Sequence, residues 1–192
     1  MNETNKLPST IPIFPLSNFI IFPDTTVPLN IFEPRYIEMI DDSMKSHRLI
    51  GMVQPKKSGK LKKPDLYEVG CVGKITSFNE TDDGRYLIII NGVSRFNIEK
   101  EIETDKLYRS CRVNYQNYTK DLENEVEKFS ISELDKIFRD LKNLFEKKGF
   151  MVDWSNLKKQ DFSNTLNTLS MASPFSLEEK QILLETKDLI SR

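Results

Sequence analysis

Cysteine, histidine, glycine and tryptophan are scarce in this sequence of 192 residues, which has two, one, seven and one of them respectively. Two cysteines, Cys71 and Cys111, exclude a disulfide framework and do not have the spacing of a zinc knuckle. With His47 as the only histidine, neither a metal site nor a cofactor is expected. No glycine belongs to the G-x-x-x-x-G-K-[ST] loop that cradles phosphates, which excludes an ATPase of that type.

Long apolar runs and an excess of one charge are also lacking. No window approaches the roughly 18 apolar residues that a membrane span needs, and the opening MNETNKLPST has no apolar region of a secretory signal. The 28 Lys and Arg residues nearly balance the 29 Asp and Glu residues, so no global field attracts nucleic acid. We therefore expect a cytoplasmic protein without membrane contact.

No catalytic residue is expected. His47 lies in Ser46-His47-Arg48, just past a predicted helix, where an exposed or capping histidine is a simpler interpretation than a general base. Cys71 and Cys111 fall within predicted strands, where a small buried thiol is the usual role. A hydrolase of unrecognised type is the only enzymatic alternative left.

What is present up to about residue 115 is a series of short β-rich runs separated by Pro, Gly and Asp, typical of a small antiparallel barrel or sandwich. Asp83-Gly84 predicts a tight turn in the clearest hairpin. Prolines at positions 8, 12, 15, 23 and 28 lack a backbone donor, so the opening strands are expected to lie at sheet edges or to be interrupted by bends, and a central strand at the N-terminus is not expected. The predicted strands are Ile11–Leu16, Val27–Phe32, Leu49–Val53, Leu66–Phe78, Arg85–Ile98 and Tyr108–Tyr115.

Helices are predicted at Pro34 and again after about residue 120. The second helical stretch buries an apolar stripe at i, i+3, i+4 spacing and ends at Gly149. Two more helices are expected: one carries Phe162, and the other opens with the capping box of Ser176 and Glu179 and runs to about Ile190. The predicted stripe consists of Ile137, Phe138, Leu141 and Phe145, and Trp154 is interpreted as a core anchor.

One local charge anomaly is the lysine loop, residues 56–63, which contains Lys56, Lys57, Lys60, Lys62 and Lys63. A solvated loop between strands is the simpler interpretation, because charge blocks without interleaved aromatic residues usually repel each other and stay hydrated. A loop that contacts phosphate or RNA is the alternative.

Several segments occur in the order of a known family: IPIFPL, FP and PLNIFEPRY near the start, then LYEVGCVGKI, DGRY and GVSRF, and finally DW, SMASPF and EKQ. Their succession resembles the N-terminal, substrate-binding domain of the Lon protease family, in the stand-alone form found in bacteria. Lys74 stands where the family usually has Arg, which keeps the charge and loses the planar fork.

The resemblance implies an α+β fold, a PUA-like pseudobarrel over residues 1–115 followed by a helical bundle over residues 116–192, together one domain. It also implies that the ATPase and Ser-Lys protease of full-length Lon are absent here. The matching positions are better explained by packing than by partner contact: Pro15, Pro23, Phe32, Glu33, Pro34, Arg35, Tyr36, Gly70, Gly73, Gly92, Arg95 and Phe96.

The function that this favours is non-enzymatic binding of unfolded or extended polypeptide, through an apolar groove or open strand edge on the barrel. Cooperation with a separate protease or chaperone, and self-association, stay open. The alternative is an RNA-binding PUA-like module that uses the lysine loop, although the near-neutral charge counts against nucleic acid.

Overall fold

The computed structural model describes residues 7–56, 63–123, 131–149 and 162–187. Six strands come first, interrupted by one helix, and three helices follow a short 3₁₀ helix at Gln116–Leu122. The strands are β1 (Thr10–Pro15), β2 (Thr26–Ile31), β3 (Leu49–Val53), β4 (Val69–Glu80), β5 (Tyr86–Ile102) and β6 (Arg109–Asn114). The helices are α1 (Pro34–Met44), α2 (Ile131–Lys147), α3 (Phe162–Ala172) and α4 (Leu177–Glu185).

The 17-residue strand β5 closes the sheet into a barrel. It pairs with β4 through most of its length, with β2 at residues 86–91 and with β6 at residues 97–102. The order β5-β4-β3-β1-β6 therefore returns to β5, and β2 continues the sheet outside this ring. One long strand thus belongs both to the ring and to its extension. The predicted α+β fold, a pseudobarrel followed by helices, is confirmed.

The expectation that the opening strands lie at sheet edges is wrong for β1. This strand lies between β3, to which it is parallel, and β6, to which it is antiparallel. Pro12 has a register partner only on β6 and Pro15 only on β3, whereas Ile13 has partners on both strands. A missing backbone donor is tolerated where a strand has a neighbour on only one side. Strand β1 has β6 as its neighbour at Pro12 and β3 as its neighbour at Pro15.

Local signals predicted most turns and caps correctly. Gly84 adopts φ +77° in the β4–β5 hairpin, where Thr81 N–H donates to the Arg85 carbonyl at 2.9 Å. Pro34 begins α1, and Ser176 with Glu179 forms the predicted capping box. Helix α4 ends at Glu185, five residues before the predicted end, because Thr186 adopts an extended backbone.

The apolar stripe of α2 is confirmed in part. Phe145 is buried at 3% exposure, while Phe138 and Leu141 are half-buried. The side chain of Ile137 and all of Trp154 lie outside the described residues. Gly149 has φ +76° just after the helix, as a left-handed C-terminal cap requires.

Helix α4 docks on the barrel through buried polar contacts. Gln54, fully buried at the end of β3, donates to the Leu177 carbonyl at 3.0 Å and to Gln181 Oε1 at 3.1 Å. Lys180 donates to the Asn18 carbonyl at 3.1 Å, and burial lowers its pKa. These contacts join the helical part to the strand-rich part, while the boundary at residues 115 and 116 stays a prediction.

No helix in the described part of the chain is long and apolar enough to cross a membrane.

Candidate functional site

Strand β2 is an open edge of the sheet, because its only strand neighbour among the described residues is β5. Gly92 N–H donates to the Thr25 carbonyl at 2.9 Å, and hydrogen-bonded pairs alternate along an antiparallel ladder. The backbone groups of Thr26, Pro28 and Asn30 are therefore directed away from β5. Since Pro28 has no N–H, an added strand could exchange both donors and acceptors only at Thr26 and Asn30.

An exposed apolar face borders this edge. On the outer side of β5, Leu87 is 44% and Ile89 is 37% exposed. The register places Leu87 between Asn30 and Asn79, and Ile89 between Pro28 and Ser77. We call these six residues the ribbon face. Phe32, 64% exposed, follows immediately after β2, so a small apolar surface framed by polar side chains lies beside backbone groups that have no strand partner in the described part of the chain.

A cleft of about 600 Å³ lies beyond the end of β2, between β1, the first turn of α1 and the loop that joins β5 to β6. Ile13 and Tyr36, both almost fully buried, form part of its lining. The Arg35 guanidinium stacks on the Tyr36 ring at 4.5 Å and pairs with Glu33 at 2.7 Å. We call this space the α1 cleft. Its volume is in the range of small-molecule pockets.

A polar clasp holds the β5–β6 loop against α1. Lys106 Nζ lies 2.8 Å from Asp42 and 3.5 Å from Glu38, and Leu107 N–H donates to Glu38 Oε2 at 3.1 Å. Tyr108 donates its hydroxyl proton to Asp42 Oδ2 at 2.9 Å. The hydrogen bonds from Lys106 and Tyr108 hold the Asp42 pKa below its usual range, while burial and Asp42 raise the pKa of Tyr108 to about 12.

Several positions that match the family lie in closely packed surroundings. A Cβ on Gly70 would lie 2.5 Å from the Met52 carbonyl oxygen, one on Gly73 would meet Ile90, and one on Gly92 would meet the Phe22 carbonyl. Phe96 is fully buried in the barrel core. The Pro15 carbonyl accepts from Tyr36 at 3.4 Å, and the Pro23 carbonyl accepts from Asn167 at 3.4 Å.

Arg95 links the barrel to the helical part. Its guanidinium pairs with Asp121 at 2.7 Å and donates to the Leu184 and Thr186 carbonyls at the end of α4. It also lies 4.5 Å above the Tyr118 ring. Among the matching positions, Arg35 and Tyr36 line the α1 cleft, whereas Arg95 and the three glycines make close contacts elsewhere in the fold.

The remaining sequence candidates do not form a reactive centre among the described residues. His47 is exposed after α1, and Cys71 and Cys111 are buried in strands. Burial raises the pKa of the Cys111 thiol to about 11 and raises that of Cys71 further. In the described ranges, no group of three or more His, Cys, Asp or Glu side chains is placed to hold a metal ion.

The lysine loop is described only at its ends. Lys56 is exposed, and Lys63 pairs with Glu101 at 3.1 Å; residues 57–62 lie outside the described residues. The positive charge of Lys63 is therefore already partly compensated at the rim of the α1 cleft.

Sequence reasoning missed the exposed residues of the ribbon face and the clasp. Leu87 and Ile89 belong to the unbroken apolar run Tyr86–Ile90, which hides the alternation of inner and outer faces. Leu107, 66% exposed, is an aliphatic residue in a charged loop. Such a residue was the one sequence signal that this loop contacts another part of the molecule.

Comparison with known proteins gives a consistent result. Residues 10–192 match the family model described as the ATP-dependent protease La (LON) substrate-binding domain. The Lon protease of Desulfosudis oleivorans is 31% identical over 97% of this chain and 23% of its own length. The Lon protease of Dictyoglomus thermophilum is 24% identical over 100% of this chain and 24% of its own length. The chain thus spans less than a quarter of these curated relatives.

Two solved structures have the same fold. The N-terminal domain of Mycobacterium avium complex Lon protease has a TM-score of 0.64 at 15% identity and covers 95% of this chain and 92% of its own. The Lon N-terminal domain protein from Xanthomonas campestris has a TM-score of 0.61 at 20% identity, and the match covers 94% of this chain and 92% of that protein's chain.

Proposed function

Because the chain belongs to the Lon substrate-binding domain family, we propose that it is a non-enzymatic module that binds unfolded or extended polypeptide at the ribbon face. The observation that carries the site is the exposure of Leu87 and Ile89 next to the open edge of β2. Apolar contact combined with backbone pairing is a known mode of peptide recognition that needs no titrating side chain.

The affinity is expected to be modest and almost independent of salt. The ribbon face is small, and ordering an extended chain consumes much of the gain from contact, so dissociation constants near or above about 1 μM are expected. Apolar contacts are little affected by the screening that weakens exposed ion pairs.

The site is tested by titrating the purified chain into a fluorescein-labelled client protein that is kept unfolded by reduction and alkylation, at low and at moderate salt. The double substitution Leu87→Ser and Ile89→Ser should weaken binding about fivefold to thirtyfold, because each removes an apolar contact worth about 1 kcal/mol. Ile182→Ser is the matched control, since Ile182 is 65% exposed but lies on α4. Equal losses from both changes would contradict the assignment to the barrel.

The RNA alternative predicts different behaviour in the same experiment. A labelled single-stranded RNA would bind with an affinity that falls steeply as salt rises, and neutralising Lys56, Lys57, Lys60, Lys62 and Lys63 would abolish that binding. If only RNA binds and the lysine variant loses it, the polypeptide proposal is wrong.

The absence of catalysis is tested separately. The purified chain should leave ATP and casein unchanged, because its sequence contains no phosphate-binding loop and the described residues bring together no activated nucleophile. Turnover that follows the protein through successive columns and disappears with a point substitution would contradict a non-enzymatic role.

A further inference from the structure

The exposed residues of β2 are also the residues whose backbone groups are directed away from β5. Thr26, Pro28 and Asn30 are exposed, while Val27 and Ile31 are buried. Among the described residues, no backbone–backbone hydrogen bond joins Thr26, Pro28 or Asn30 to another segment. Their free groups form one row along the edge, and alternate residues of any extended chain repeat at the same spacing of about 6.7 Å.

This row is incomplete at its centre. Every one of its residues has a carbonyl to accept a hydrogen bond, but only Thr26 and Asn30 also have an N–H, because Pro28 between them has none. An antiparallel strand exchanges a pair of hydrogen bonds at each residue of such a row. Beside β2, the segment that faces Pro28 can donate to the proline carbonyl, and its own carbonyl finds no donor there.

The register of β2 with β5 connects this row to the exposed apolar side chains. Pro28 lies beside Ile89, and Asn30 lies beside Leu87. Residues directly opposite each other in an antiparallel pair place their side chains on the same face. The residues of an added strand that pair with Pro28 and Asn30 would therefore have their side chains on the face of Leu87 and Ile89. The residues between them would be directed to the other face.

We propose that the bound polypeptide is added to the sheet as an antiparallel strand beside β2, and that Pro28 limits its affinity by withholding the central donor. Strand β2 already pairs in the antiparallel sense with β5, and this pairing is the more stable one per residue. Proline on an edge strand also restrains indiscriminate pairing with other chains, so the bound segment stays exchangeable.

The inference rests on the proposed polypeptide-binding function and names the segments that the module selects. They are extended segments with apolar side chains at alternate positions and a free N–H at each of those positions. A proline at one of these positions removes a donor that faces the edge and is disfavoured, whereas a proline at an intervening position faces solvent and is tolerated.

Two N-methylated peptides test the pairing with the unaltered protein. The parent is a labelled peptide in which apolar residues alternate with serine or threonine. One derivative has N-methyl groups on three successive apolar residues, and the other has them on the three intervening polar residues. Measured by fluorescence anisotropy, the first should bind about tenfold more weakly than the parent or worse, because it loses the donors that face the edge, and the second should bind within about twofold of the parent.

Single substitutions in β2 test the role of Pro28. Pro28→Ala restores the central N–H and should tighten binding of the parent peptide about twofold to tenfold, the effect of one net hydrogen bond. Asn30→Pro makes the opposite change. It should weaken binding by a similar factor relative to its matched control, Asn30→Ala, which loses the same side chain and keeps the N–H. Circular dichroism establishes that each variant is folded.

The outcomes separate this inference from the proposed function. Strand addition is wrong, and polypeptide binding stands, if the parent peptide binds but both methylated peptides bind equally well. The same holds if methylation of the polar residues is the harmful change, or if Pro28→Ala binds no more tightly than the unaltered protein. If the parent peptide does not bind at all, the proposed function fails as well.

Discussion

Arg95 and Asp121 form a bidentate ion pair that is almost completely buried. Arg95 Nε lies 2.9 Å from Asp121 Oδ2, and Nη2 lies 2.7 Å from Oδ1, with side-chain exposures of 5% and 7%. The pair joins β5 to the 3₁₀ helix, and the remaining donors of Arg95 reach the end of α4. One side chain thus connects three separate parts of the fold.

Asp121→Asn should lower the free energy of unfolding by about 3 to 5 kcal/mol, because it leaves a buried guanidinium without its counter-charge. Urea denaturation followed by circular dichroism measures this. Glu146→Gln is the control, since Glu146 takes part in an exposed pair with Lys142 on α2 and its removal should barely move the midpoint. Similar midpoints for both variants would show that the Arg95 pair contributes little.

Gly92→Ala should destabilise the barrel by about 1 to 3 kcal/mol or more, because the added Cβ would collide with the Phe22 carbonyl. Gly84→Ala offers a useful contrast: nothing lies within 4 Å of the added atom, and only the positive φ opposes the change, at about 1 to 2 kcal/mol. Thermal unfolding of both variants measures the difference. A smaller loss at Gly92 than at Gly84 would argue against the close approach.

The contrast between β3 and β1 shows what the sequence could reveal. The bounds of β3 were predicted without error because Leu49–Val53 is a short apolar run flanked by polar residues. The central place of β1 was missed because it depends on pairing with β3 and β6, two strands that lie far from β1 in the sequence. Proline statistics describe average strands and carry no information about such long-range pairing.

The candidate site was less accessible to prediction than the fold. Glu38 and Asp42 are spaced i, i+4 on α1, but their partners lie 64 or more residues away in the β5–β6 loop. No local pattern pairs two such segments. The segment from Phe32 to Tyr36 was identified through the family resemblance, although its place beside the cleft emerges only from the folded chain.

Phe145→Ala should lower the free energy of unfolding by about 3 to 5 kcal/mol as a truncation in a packed environment. Phe138→Ala should cost less, because Phe138 is half-buried whereas Phe145 is 3% exposed. Urea unfolding of the two variants decides the order. A loss below about 1 kcal/mol for Phe145→Ala would show that α2 is not docked along this face.

The clasp should open as the solution becomes acidic. Since the folded pKa of Asp42 is lowered by its hydrogen bonds from Lys106 and Tyr108, its contribution is present above the ordinary Asp pKa of about 3.9 and is lost as pH falls through the lower folded value. Hydrogen exchange of the Leu107 amide should accelerate there relative to the barrel strands. Asp42→Asn should produce the open loop already at neutral pH, and Asp82→Asn, in the hairpin, should not.

A chain truncated after residue 115 should fail to fold cooperatively, although the proposed boundary between the strand-rich and helical parts lies there. Truncation removes Asp121 and all of α4, and so leaves the buried groups of Arg95 and Gln54 without their partners. Unsatisfied buried polar groups cost about 1 to 3 kcal/mol each, and more when charged. Leu184 and Tyr118 also leave the larger core cluster.

Two measurements on residues 1–115 decide this point. One is the dispersion of the amide signals in an NMR spectrum, and the other is the cooperativity of unfolding in urea. The double substitution Arg95→Met and Gln54→Leu in the truncated chain serves as the control, because it replaces both orphaned groups with apolar ones of similar size. Partial recovery of structure would attribute the failure to these polar groups rather than to lost apolar area. A sharp unfolding transition for unmodified residues 1–115 would show instead that the barrel is an independent domain.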